Sequence, residues 1–179
     1  PQMLRLYMNN GTGFFTDESV ARLGGVMGLY RDVAFGDIDG DGDLDLVAAG
    51  DFQTLPLLMR NDGNGFFTNI SATHMPAIPL GGSKVPFVDI DNDGDLDLVF
   101  PNGGASRFGT GQVQLYRNNG AGVYTNVTAT QLPVLLVSEP LDVMVGDIDG
   151  DWDLDIFVGS RATNGSRLLR NDGAGNFTN

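Results

Sequence analysis

Cysteine is missing altogether, so neither a disulfide nor a Cys-based zinc site holds this chain together. That leaves the redox compartment open, because a secreted domain can be stapled by metal ions instead. Positive charge is scarce: one lysine, Lys84, and nine arginines stand against 23 acidic residues, a formal charge of −13. Nucleic acid and anionic lipid surfaces demand a basic face, which excludes a nucleic-acid partner. No apolar run approaches the length of a membrane span, so no membrane insertion is expected of this segment. Histidine occurs once, at His74. No serine sits in a nucleophile motif, and the chain reads as no enzyme.

What is abundant is glycine, with 26 copies, together with Asn and Asp, the residues of tight turns. Many short strands joined by turns follow, and the fold class is all-β. The turns repeat. One element reads Asp37-Ile-Asp-Gly-Asp-Gly-Asp-Leu-Asp45, then Asp89-Ile-Asp-Asn-Asp-Gly-Asp-Leu-Asp97, then Asp147-Ile-Asp-Gly-Asp-Trp-Asp-Leu-Asp155. A second alternates with it, beginning at Asn9, Asn61, Asn118 and Asn171, with the pattern Asn-Asn/Asp-Gly-x-Gly followed by an aromatic strand. Asn-Gly turns between apolar runs signal hairpins. Each acidic element is flanked by strand-length apolar stretches, so one period holds four strands, the content of a propeller blade. The expected architecture is a partial β-propeller: half a blade plus three four-stranded antiparallel blades in a single segment 1–179. The blade remnant spans 1–20 and the blades span 32–70, 84–127 and 142–179. Beginning at Pro1 without an initiator Met, the segment is expected to belong to a longer chain.

The stretches Phe35-Gly-Asp-Ile-Asp-Gly-Asp-Gly-Asp-Leu-Asp-Leu-Val47 and Leu58-Met-Arg-Asn-Asp-Gly-Asn-Gly-Phe-Phe-Thr68 resemble FG-GAP/VCBS-type repeats. That resemblance implies an integrin-α-like propeller, commonly seven-bladed, with calcium in loops on one face.

The residues support the same ion independently. Calcium takes converging oxygen donors, and Asp at loop positions one, three and five with Gly at six supplies them, with the carbonyl of position seven and the carboxylate of position nine completing the shell. The candidate ligands are Asp37, Asp39, Asp41, Asp43 and Asp45; Asp89, Asp91, Asp93, Asp95 and Asp97; and Asp147, Asp149, Asp151, Asp153 and Asp155. Those at position seven act through their carbonyls. Three Ca²⁺ sites are therefore expected, and 15 of the 23 acidic residues lie in them. The competing reading, that Asp-Gly runs are solvated turns, weakens with each repetition. An EF-hand fails because position twelve is Ala48, Phe100 or Val158 rather than Glu. Zinc lacks its ligands, and magnesium tends to keep waters. Trp152 replaces glycine at position six of the third loop, where positive φ is expected.

Phe14, Phe15, Phe66, Phe67, Tyr124 and Phe177 read as blade-packing residues, and His74 as a solvent-facing residue of an interblade link. The Asn-Gly-x-Gly hairpins lack the following helix of a phosphate loop. Five sequons, at Asn10, Asn69, Asn126, Asn164 and Asn176, permit glycosylation. The leading functional expectation is a non-catalytic adhesion module of an extracellular or cell-surface protein. Its partner would be a protein or glycan, with the rest of the propeller in the same or a neighbouring chain. The alternatives are a propeller domain of an extracellular carbohydrate-active enzyme and a structural subunit of a surface filament.

Overall fold

The computed structural model describes residues 2–51, 54–78, 84–102, 110–134, 137–138, 140–160 and 165–179. The chain opens with β1 (Gln2–Met3), β2 (Tyr7–Asn9), β3 (Phe15–Asp17), helix α1 (Ser19–Leu23) and β4 (Met27–Gly28). The first complete blade follows: β5 (Tyr30–Gly36), β6 (Asp45–Gly50), β7 (Leu57–Asn61) and β8 (Phe67–Asn69), then α2 (Ser71–His74). The second consists of β9 (Phe87–Val88), β10 (Asp97–Phe100), β12 (Gln114–Arg117) and β13 (Thr125–Asn126), with β11 (Thr110–Gly111) before its third strand and α3 (Thr128–Gln131) after its fourth. After β14 (Val137–Ser138) comes the third, made of β15 (Pro140–Gly146), β16 (Asp155–Ser160), β17 (Arg167–Asn171) and β18 (Phe177–Thr178).

Each complete blade is a four-stranded sheet in chain order, and β2–β3 is a two-stranded half blade. The pairings are antiparallel, and the fold is all-β, with half a blade and three four-stranded sheets in the arrangement of a partial propeller. Two small ladders, β1–β4 and β11–β14, were not legible in the sequence. Both join the segment before a blade's third strand to the segment before the next blade's first.

The central strands are buried on both faces, which is why they read as continuous apolar runs. Along β6, Leu46 and Ala48 pack toward the half blade with Leu23 and Met59, while Val47 and Ala49 pack toward the second blade with Leu98, Phe100 and Tyr116. Along β10, Val99 turns the other way, joining Ile156, Val158 and Leu169 of the third blade. Each fully buried aliphatic side chain contributes roughly 1.5–3 kcal/mol, so the interblade seams carry the stability of the stack.

Three one-turn helices follow the fourth strands, short enough to leave the fold all-β. Their cause is a repeated pair of side chains. Asp17, Asn69 and Asn126 accept through Oδ1 the N–H of Ser19, Ser71 and Thr128 at 3.1, 3.0 and 2.9 Å. Those three hydroxyls in turn accept the N–H of Leu6, Leu58 and Leu115, satisfying a donor near the start of each third strand. His74 ends α2 half-buried instead of lying in an open loop, and its carbonyl accepts the Tyr124 N–H.

The aromatic expectation needs correction. Tyr124 and Phe177 are buried and Phe67 is half-buried, but Phe14, Phe15 and Phe66 are exposed. Phe14 and Phe66, directly after their hairpins, point to solvent because only the following residue of the strand faces the preceding blade. Phe66 is covered instead by the Arg22 guanidinium, 4.7 Å from the ring centroid. Phe15, equivalent to Tyr124 and Phe177, belongs to the half blade, which has no preceding sheet among the described residues.

Candidate metal centres

Each acidic loop joins the first and second strands of a blade, and its fourth and sixth residues take positive φ. These are Gly40 and Gly42 (74° and 90°), Asn92 and Gly94 (59° and 93°), and Gly150 and Trp152 (83° and 76°). The first aspartate organises the turn. Asp37 Oδ1 and Oδ2 accept the N–H of Gly40 and Gly42 at 2.8 and 2.9 Å, and Asp147 does the same for Gly150 and Trp152 at 2.7 and 3.1 Å. Asp89 accepts from Asp93 and Gly94.

The turn points carboxylates inward. Asp37, Asp39 and Asp45 form one cluster, Asp89, Asp91 and Asp93 a second, and Asp147, Asp149 and Asp151 a third, with one oxygen from each member within 4.8 Å of the others. The remaining acidic side chains stand outside these sets. Those of Asp43, Asp95 and Asp153 lie against Gly63, Gly120 and Gly173 of the adjacent hairpins, close enough that a Cβ there would collide. Asp41, which accepts the Asp43 N–H at 2.9 Å, is outside the first set. The ninth-position aspartates Asp45, Asp97 and Asp155 are buried and bridge two backbone donors. Oδ2 takes the N–H of Ile38, Ile90 or Ile148, and Oδ1 that of Asn61, Asn118 or Asn171.

Three carboxylates this close repel by about 3 kcal/mol per pair at an effective dielectric of 20. Burial pushes the Asp97 carboxyl up to about 7 and raises that of Asp45, in both cases against the lowering effect of the two backbone donors. Desolvation and the neighbouring Asp151 charge raise Asp149. Two buried oxygens, Asp39 Oδ1 and Asp91 Oδ1, have no hydrogen-bond partner among the described residues. A buried, unpaired carboxylate oxygen is costly, and an all-oxygen donor set of this kind suits a hard divalent cation. The three clusters are thus capable of coordinating metal ions.

The sequence reading missed an arginine in every complete blade. Arg60 lies 3.6 Å from Asp39 Oδ2 and Arg170 3.0 Å from Asp149 Oδ2, while Arg117 reaches Asp91, Asp93 and Asp97. Each directly precedes the first Asn of its hairpin, a periodicity that could have revealed them; the half blade has Met8 there. They partly offset the carboxylate charge, and burial lowers the pKa of Arg117.

Stacked four-stranded blades, each with an acidic loop beside a glycine hairpin, define a repeat-built scaffold. The FG-GAP-like repeat model matches residues 1–48, 47–100 and 105–158, and the chain belongs to that family. Each match straddles two blades, running from the outer pair of strands of one to the inner pair of the next. As such repeats are structural and binding units, the chain is a non-catalytic module, of a family typical of extracellular and cell-surface proteins. No curated protein sequence matches it. A solved structure of an Agrocybe aegerita lectin, described for specific recognition of non-reducing terminal N-acetylglucosamine, aligns with a TM-score of 0.54 at 23% identity. The alignment covers 99% of this chain and 45% of the lectin's, so the chain spans less than half of that length and shares its fold. Among the described residues, no helix is long and apolar enough to cross a membrane, which says nothing of β-barrels.

Proposed function

We propose that the chain is a calcium-binding propeller module of an extracellular or cell-surface protein, in which cation-stiffened blades present their opposite ends to a protein or glycan ligand. The observation that carries this reading is the triple occurrence of inward-turned carboxylates, two of them with unpartnered buried oxygens. Calcium would be held by Asp37, Asp39, Asp41, the Asp43 carbonyl and Asp45, and by the matching residues of the second and third loops. It would supply the positive charge that lets buried carboxylates stay ionised. The chain's own contribution is to preorganise them through Asp37, Asp89 and Asp147. Three ions would roughly halve the formal charge of −13.

The segments joining second to third strands, and one blade to the next, leave from the end opposite the acidic loops. A cleft of 230 Å³ lies there, with Tyr30, Leu55, Pro56 and Met75 in its walls and Asn69 and Ser71 at its polar edge. Apolar walls with a few polar groups suit a sugar ring or a peptide side chain, and the lectin relative favours the glycan. Further blades, in this or a neighbouring chain, would cover Tyr7 and Phe15 at one end of the stack and Ile148 and Phe157 at the other. All four are exposed, while their counterparts are buried or half-buried between blades. Calorimetric titration of the chelated intact protein should show three calcium ions per chain, and a glycan array should then name the ligand. Absence of calcium uptake would sink the metal reading, and a blank array the glycan reading.

A further inference from the structure

The residue after the first aspartate of every acidic loop is isoleucine, and its peptide group is committed in two directions. Ile38 donates its N–H to Asp45 Oδ2 at 3.1 Å, while its carbonyl accepts Nδ2 of Asn118, 80 residues away in the next blade, at 2.8 Å. Asn118 donates its own backbone N–H to Asp97 Oδ1 at 2.8 Å. Asp97 Oδ2 accepts the Ile90 N–H at 3.3 Å, and the Ile90 carbonyl accepts Asn171 Nδ2 at 2.7 Å. The Asn171 N–H reaches Asp155 Oδ1 at 2.9 Å, and Asp155 Oδ2 accepts from Ile148.

These bonds form one unbroken series, Asp45–Ile38–Asn118–Asp97–Ile90–Asn171–Asp155–Ile148, threading all three acidic loops. Every link from the Ile38 N–H to the Asn171 N–H is buried. A loop that relaxes around its ninth aspartate therefore withdraws a carbonyl from the next blade and leaves a buried amide unpaired, a loss water cannot make good. Asn92 Nδ2 also donates to Asp153 Oδ1 at 3.2 Å between the second and third loops, but that bond is exposed and water can replace it, which leaves the buried series to carry the coupling.

We propose that the three acidic loops take up divalent or trivalent cations as a positively coupled series, with Asn118 and Asn171 as the coupling side chains. This rests on the metal-binding reading above. Electrostatics alone gives the opposite sign, because an ion already bound in one loop repels the next. The sign of the coupling therefore separates the two.

Trp152 is the chain's single tryptophan, so terbium luminescence sensitised through it follows the third loop. In the intact protein, Asp89→Asn with Asp91→Asn disables the second loop. The coupled series predicts that half-saturation of the third loop then rises about fivefold, a typical coupling size. Asn171→Asp keeps the hairpin acceptor and the backbone N–H but removes the Nδ2 donor; in that background the same pair should have no further effect, closing a double-mutant cycle. An unchanged or lowered half-saturation in the first arm overturns the proposal, as does coupling that survives Asn171→Asp. Should Asn171→Asp unfold the third blade, hydrogen exchange on the parent decides. The Ile38 and Ile90 amides must gain protection together during terbium titration, and separate phases overturn the series. Terbium uptake by independent loops would remove the coupling and leave the metal reading standing; no uptake at all removes both.

Discussion

The hydroxyl of Thr128 accepts the N–H of Leu115 at 2.9 Å, tying the start of helix α3 to the third strand of the second blade. Leu115 is fully buried, so no water replaces that acceptor. Thr128→Val keeps the shape and removes the oxygen, and should cost about 1–3 kcal/mol, the price of an unsatisfied buried donor. Thr128→Ser, which restores the chemistry of Ser19 and Ser71, should cost much less. Urea unfolding midpoints of the two variants test this, and equal losses would show that packing, not the bond, matters at this site.

The same device separates the sequons. Asn69 and Asn126 both give Oδ1 to the helix start, but Asn126 also spends its Nδ2 on Gln114 Oε1 at 2.9 Å, whereas Asn69 is exposed and its Nδ2 makes no bond among the described residues. Asn10 accepts from Thr12 and Phe14 within its hairpin, Asn176 donates to Asp172, and Asn164 lies outside the described residues. Expressed through a eukaryotic secretory pathway, the protein should carry more glycan at Asn69 than at Asn126. Glycopeptide mass spectrometry measures the ratio, and preferential occupancy of Asn126 would refute the ordering.

Proton and cation compete for the acidic loops. In the cation-free protein burial holds the folded Asp97 carboxyl at about 7 against an ordinary value of 3.8, so between those values the folded state binds more protons than the unfolded one. Stability contributed by this group therefore falls as pH rises from about 4 to about 7, and Asp45 acts in the same sense. Asp62 and Asp172, held low by turn N–H groups, oppose this only at pH values near or below 3.8. Thermal scans with chelator should show a Tm that declines across that window, while the increment given by calcium grows. A chelated protein that becomes steadily more stable toward pH 7 would contradict the assignment.

The acidic loops, the hairpins and the blade count were legible because each is written in short-range residue order: Asp at alternate positions, Asn-Gly at the turn, apolar runs of strand length. What the sequence hid was lateral. Arg60, Arg117 and Arg170 lie outside the loops whose carboxylates they meet, and the Asn118–Ile38 and Asn171–Ile90 bonds join positions 80 and 81 residues apart. The one-turn helices went unseen because their signal, Asp17 with Ser19 or Asn69 with Ser71, is only two residues long and is indistinguishable from a loop without the strand it bonds. The division of labour within the loops was also hidden. The ninth aspartate reads as one more ligand, and its side chain is also the buried bracket that fastens the loop to its hairpin.

Trp152 supplies the final test. Its φ of 76° lies in the left-handed region, where Gly42 and Gly94 sit in the other loops, and its side chain is 87% exposed. No packing of the indole on a neighbouring blade compensates. A left-handed conformation costs a non-glycine residue roughly 1–2 kcal/mol, and that strain is held only while the Trp152 N–H stays bonded to Asp147 Oδ2. Emptying the third loop frees the backbone to relax, so the strain counts against cation binding there and not in the first two loops. Trp152→Gly should tighten the third site about tenfold, the equivalent of about 1.4 kcal/mol. Calorimetric calcium titration of parent and variant measures the change, while chelator titration of the parent should show the third loop, reported by Trp152 fluorescence, losing its ion first. A variant that binds no more tightly, or a parent in which Trp152 reports the last ion to leave, would show that the strain is not relieved when the loop opens.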